Sequence, residues 1–180
     1  MLKKALSRFL LIVAFAASPL LASTEEAVDA YPTDYQIPAR IGRISAGSNP
    51  DAIKPNGYFG KGAMEFVSGS QDNSLEIELN DINPGKYYIG LFGRISHHKD
   101  ARTIGKYHLS CDGAMVELHR ETPDIILYHN MEFGTVLSQE PVELKPGSKL
   151  SIFIQANNHS LNKVLLFSIP DPFDAIGQLQ

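Results

Sequence analysis

Residues 82 to 95, INPGKYYIGLFGRI, constrain this chain most tightly: a turn at Asn83, Pro84 and Gly85 runs straight into a long strand with apolar groups on both faces. Successive side chains of a strand point to opposite sides, so Tyr87, Ile89, Leu91 and Ile95 share one face and Tyr88, Phe92 and Arg94 the other. Such a strand has no face to give to water and belongs in the middle of a sheet. The pattern returns at 143–156, ELKPGSKLSIFIQA, where a second Pro-Gly turn feeds a strand that turns Leu150, Ile152 and Ile154 inward. Two central strands of this kind predict two packed sheets.

The remaining chain is read as strands joined by turn chemistry. Residues 40–45 give a first short strand, and 47–57, dense in Gly, Asn and Pro, read as a loop. Strand composition resumes at 58–67, where Gly60 and Gly62 point to a bend or a close backbone approach. Residues 74–80 alternate without error, with Leu75, Ile77 and Leu79 on one face and Glu76, Glu78 and Asn80 on the other. Asp112-Gly113 is a two-residue hairpin signal between 106–111 and 114–119. It sets Cys111 opposite Ala114, Leu109 opposite Val116 and Tyr107 opposite Leu118, all on the buried face. His108, Glu117, Lys106 and His119 then share the wet face with Ser110 and Met115. Strands at 124–129, 133–137, 141–144, 149–156 and 164–169 complete an antiparallel β-sandwich. No amphipathic run outside the N-terminus is long enough for a helix of more than about two turns.

The N-terminus carries Lys3, Lys4 and Arg8, then the apolar run Phe9 to Ala17, then small residues, the order of a signal peptide cut after Ala22 or Ser23. The run is too short to span a bilayer. The expected organisation is a signal peptide at 1–22, an acidic, proline-punctuated arm at 23–38, a sandwich domain at 39–170 and a tail at 171–180. The expected location is secreted or periplasmic, with no membrane insertion after cleavage. Removing the leader takes the formal charge from −4 to −7, and the basic residues left are scattered, so no nucleic-acid partner is expected. Cys111 is the sole cysteine, so no disulfide can form within the chain, and its place on the buried face of a strand reads as an inert small hydrophobe.

The segments GYFGKGAMEF, SLEIELNDINPGKYYIGLFGR, GKYHLSCDG, PVELKPGSKLSIFI and LNKVLLFSI follow one another in an order that resembles the jelly-roll carbohydrate-binding modules of the galactose-binding-like superfamily, over about residues 57 to 169. The PGKYYI and GKYHLS pair also resembles secreted bacterial pre-peptidase domains. The first resemblance implies an all-β sandwich of jelly-roll type that binds carbohydrate at a loop end near Tyr58, Tyr128 and Asn158. Two departures stand out. The chain has no tryptophan for a sugar platform, and Lys163 follows Asn162 where the family commonly carries a carboxylate ligand of structural calcium.

Sugar recognition needs a flat apolar face for the C–H side of a pyranose and amide, imidazole or guanidinium groups for its hydroxyls. The residues outside the strand alternation that offer these are Tyr58, Arg94, His97, Tyr128, Asn130, Asn157 and Asn158. Recognition in a sandwich falls to the loops at one end or to an exposed sheet face. His97, His98 and Asp100 lack a well-spaced further ligand, so no metal or other cofactor is assigned. No nucleophile elbow, zincin helix or activated cysteine is present, and no catalytic residue is assigned. The expected function is therefore an exported, non-catalytic binding domain for carbohydrate. The alternatives are a structural or protein-interaction domain of the periplasm or cell surface and a small hydrolase. The sequence leaves oligomeric state open.

Overall fold

The computed structural model describes residues 33–45, 49–57, 62–67, 73–97, 107–121, 126–128, 131–155 and 159–168, with side chains described at all of these except 95–97, 119–121, 126–128 and 131–132. The signal peptide, residues 23–32 of the arm and the tail lie outside the described residues.

In chain order the described strands are β1 (Tyr35–Pro38), β2 (Arg43–Ile44), β3 (Ile53–Pro55), β4 (Met64–Phe66), β5 (Leu75–Leu79), β6 (Gly85–His97), β7 (Tyr107–Cys111), β8 (Ala114–Val116), β9 (Leu118–Glu121), β10 (Ile126–Tyr128), β11 (Met131–Ser138), β12 (Val142–Leu144), β13 (Ser148–Ile154), β14 (His159–Leu161) and β15 (Lys163–Phe167), and a 3-10 turn spans Ala39–Ile41. They form a larger sheet in the order β1-β15-β6-β11-β10, to which β12 adds on β6 and β9 on β11. A second sheet runs β2-β5-β13-β7-β8, and a small third one β14-β4-β3. Every pairing is antiparallel. The chain is an all-β sandwich.

The reason lies in the alternation. From the larger sheet Tyr87, Ile89, Leu91, Val136, Val164 and Leu166 turn inward, and from the second Leu75, Ile77, Leu79, Leu109, Leu150, Ile152 and Ile154 meet them in one core. Each such side chain contributes about 1.5–3 kcal/mol relative to remaining in water. Strand β6 lies between β15 and β11, with Phe92 and Arg94 buried on the face opposite the core, as its doubly apolar pattern predicts.

Three short strands fall where none was expected: Tyr35–Pro38, read as the end of the arm, pairs with β15 in the larger sheet, and two more replace loops. Ile53–Pro55 pairs with β4, and His159–Leu161 pairs with it from the other side. Strand β14 also crosses β6 at Gly93. There the Arg94 N–H donates to Ser160 Oγ at 3.1 Å, the Asn162 N–H to the Phe92 carbonyl at 2.8 Å, and the Ser160 hydroxyl to Asn162 Oδ1 at 2.9 Å. Ser160 and Asn162 are buried, so these bonds replace the water that both side chains give up.

The hairpin has the expected register near its turn: Cys111 faces Ala114, Ser110 faces Met115 and Leu109 faces Val116, with Asp112 at φ 50° and Gly113 at φ 84°. Both central residues lie in the left-handed region, as a turn matched to the strand twist requires. The pairing of Tyr107 with Leu118 does not form. After Val116 the chain leaves the second sheet, Leu118 pairs with Ser138 of β11, and the Glu117 carbonyl accepts the Gln139 N–H at 2.8 Å. Val116 and Leu118 are half-buried and Ala114 is exposed, rather than all buried, because β8 is the outermost described strand of its sheet and Leu118 packs at the corner between the sheets.

Candidate functional site

On the face of the second sheet turned away from the core, β13 presents Lys149, Ser151 and Phe153, and β7 presents His108 and Ser110. His108 and Phe153 are register partners, and their rings stack with centroids 5.3 Å apart and planes 20° from parallel. Phe153 is only 8% exposed although it points away from the core. His108 Nε2 is buried and has no hydrogen-bond partner among the described residues. A buried imidazole nitrogen without a partner costs about 1–3 kcal/mol unless a ligand or water completes it. The ring pair borders a recess of about 350 Å³ that Ser74, Ser110, Ser151 and Met115 also line. Met115 is 73% exposed and offers an apolar edge. The recess thus combines flat apolar surface, three hydroxyls and one imidazole. It lies at the end of the sheet where β5 and β7 begin and β13 finishes.

A larger cleft of about 620 Å³ opens at the corner where the chain passes from β8 to β9. Its apolar floor is Cys111, Ala114, Val116, Pro141 and Val142, and its rim is Asp112, Glu117, Gln139, Glu140 and Glu143. An irregularity in the larger sheet makes room for it: Leu137 faces Gly90 and Val142 faces Tyr87, so five steps along β11 and β12 match three along β6. The two extra residues are taken up in the stretch between Ser138 and Val142, which bows out of the ladder.

Cys111 borders this cleft, and its chemistry is quiet. Burial, reinforced by the neighbouring Asp112 carboxylate, raises its thiol pKa to about 11, and the S–H points to Asp112 Oδ2 at 3.8 Å. Asp112 is held ionised: it accepts the Lys149 N–H at 2.8 Å, and this backbone bond is the main cause of its lowered pKa. The thiolate is the reactive form. At pH 8.5 the folded protein should therefore react with iodoacetamide roughly a hundredfold more slowly than the unfolded chain, whose free cysteine titrates near 8.5. Similar rates in the two states would show that the thiol is open and ionised.

The residues chosen from the sequence fall in different places. Arg94 is 7% exposed, in the middle of β6, where its carbonyl accepts the Tyr107 hydroxyl at 2.9 Å. His97 ends β6, opposite Met131, and Tyr128 ends β10, also opposite Met131, so their backbones flank one residue of β11. Tyr58, Asn130, Asn157 and Asn158 lie outside the described residues. Sequence reasoning placed His108 and Ser110 together on the wet face of the hairpin. It missed Phe153 and Ser151 as their neighbours, because the β13–β7 pairing spans more than forty residues and leaves no local signal.

No protein-family model matches the chain, and no curated protein matches it. Among solved structures, the chain is similar to an exo-β-1,3-galactanase from Phanerochaete chrysosporium, determined with galactose, at 15% identity and a TM-score of 0.40. That overlap covers 74% of this chain and 29% of the enzyme, so the chain spans less than a third of that protein's length.

Proposed function

We propose that this chain is an exported, non-catalytic binding domain whose ligand is carbohydrate, held on the outer face of the second sheet. The observation that carries the reading is the His108–Phe153 stack with its uncompleted Nε2, set among the hydroxyls of Ser74, Ser110 and Ser151. A pyranose has the matching chemistry, since its C–H face packs on flat apolar surface while its hydroxyls both donate and accept. The volume is at the small end of the range for ligand pockets, which fits one or two sugar rings in a shallow recess. Export rests on the basic, apolar and small-residue order of the leader.

The test is affinity electrophoresis of the protein through gels containing soluble polysaccharides, followed by titration with the best of them. His108→Ala should weaken binding by about 1–2 kcal/mol, close to tenfold, and Ser151→Ala by a smaller factor. Tyr58→Ala and Tyr128→Ala examine the loop residues in the same titration. Retardation by no polysaccharide would pass the reading to a protein-interaction domain, and equal affinity in the His108→Ala and wild-type proteins would remove the sheet-face site.

A further inference from the structure

Strand β8 closes one side of the second sheet, and nothing described pairs with its outer edge. In an antiparallel ladder, opposed residues alternate between hydrogen-bonded and non-bonded pairs. With a two-residue turn the bonded pair is Cys111 with Ala114, and the next bonded pair is Leu109 with Val116. Met115, between them, therefore aims its N–H and carbonyl away from β7 and off the sheet. These groups border the corner cleft, whose floor is apolar and whose other wall is β12. Among the described lining residues the charge has one sign: Glu117, Glu140 and Glu143 are exposed on the rim, Asp112 joins them, and none of these residues is a lysine or arginine. Two cations stand nearby without entering the lining: Lys145 acts on Asp112, and Lys86 of β6 is the register partner of Glu143.

We infer that this cleft receives an extended, basic segment of a partner protein, which adds to β8 as a further strand. Met115 would exchange backbone hydrogen bonds with the segment, as in strand-addition recognition. Apolar side chains on one face of the segment would seat against Ala114, Val116 and Val142. Alternate lysines or arginines would meet Glu117, Glu140 and Glu143. An open edge is otherwise a liability that proteins blunt with lysine, proline or a covering loop, and this one carries an exposed methionine and no cation. The inference does not rest on the carbohydrate reading, although the two sites share Met115, which borders both the sheet-face recess and the corner cleft.

The probe is an eight-residue peptide alternating lysine and valine, titrated into the ¹⁵N-labelled protein. Two control peptides go with it, the same sequence N-methylated at alternate amides and one with glutamate for lysine. Expected are shifts confined to the amides of Ala114 to Glu117 and of Gln139, Glu140, Val142 and Glu143, slowed hydrogen exchange at Met115, and a Kd of about 1 mM or tighter. The methylated and acidic peptides should bind at least about tenfold more weakly, because one lacks the backbone donors and the other meets like charge. The combined variant Glu117→Lys, Glu140→Lys, Glu143→Lys changes only exposed side chains, so it should keep the folded spectrum and lose binding by about tenfold or more. Equal binding of the methylated peptide, shifts elsewhere, or no shifts at about 1 mM peptide would overturn the inference. So would a concentration-dependent dimer shifting the same amides, which would give the edge to a second copy of the chain.

Discussion

Gly93→Ala is expected to remove about 4 kcal/mol or more of stability, enough to leave a domain of ordinary stability largely unfolded. A Cβ on Gly93 would stand 1.9 Å from the Ser160 carbonyl oxygen, 2.7 Å from its carbon and 3.0 Å from the Leu161 Cα. All three are backbone atoms, so no side chain can swing aside. Relief requires lifting β14 off β6, which breaks the Arg94–Ser160 and Asn162–Phe92 bonds and strands buried polar groups. Ordinary overpacking costs about 1–3 kcal/mol, and the backbone conflict places this site above that range. Gly113→Ala is the control, because its site is spatially open and only the φ of 84° resists the change. Its cost should stay near 1–2 kcal/mol, roughly the penalty for a left-handed non-glycine residue. Urea unfolding of both variants tests the claim, and comparable midpoints would show that β14 does not press on Gly93.

Leu91→Ala and Phe92→Ala should each be strongly destabilising, by about 2–5 and 3–5 kcal/mol respectively. The two side chains are adjacent in β6 and point to opposite faces, yet both are buried, Leu91 in the core between the sheets and Phe92 beside Phe133 with ring centroids 6.3 Å apart. A strand with one wet face would lose heavily from only one of the pair. Denaturant midpoints that separate the variants by the whole effect would therefore contradict the central placement of β6.

Much of this architecture was legible in the residues. The double apolar pattern of 85–95 placed β6 inside a sheet, the strict alternation of 75–79 gave a strand with glutamates outward, and Asp112-Gly113 fixed the hairpin register through Leu109 and Val116. The misses share one cause. Strands β1, β3 and β14 are three or four residues long, too short to display a period, and Pro38, Pro55 and the polar His159-Ser160 read as turn chemistry. The alternation that carried the hairpin on to Leu118 was real, but a period names faces and not partners, so the change of sheet after Val116 was invisible. Arg94 shows the same limit: its guanidinium read as a surface donor, and burial depends on what crosses above the strand. Of the candidate site, His108 and Ser110 were on the wet face from the start. Only the pairing of β7 with β13 brought Phe153 to them.

The first and last described strands of the chain are neighbours in the larger sheet, since Tyr35 of β1 lies opposite Leu166 of β15. The seam is sealed at its open end by the Asp34 N–H on the Leu166 carbonyl at 2.9 Å and the Ser168 N–H on Asp34 Oδ2 at 2.6 Å. Tension drawn through residues 33 and 168 would pull the two strands apart from that end, meeting their hydrogen bonds one after another instead of all at once. A sandwich tethered at both of these ends would open like a zip at low force, with β1 peeling first and the core behind β6 still closed.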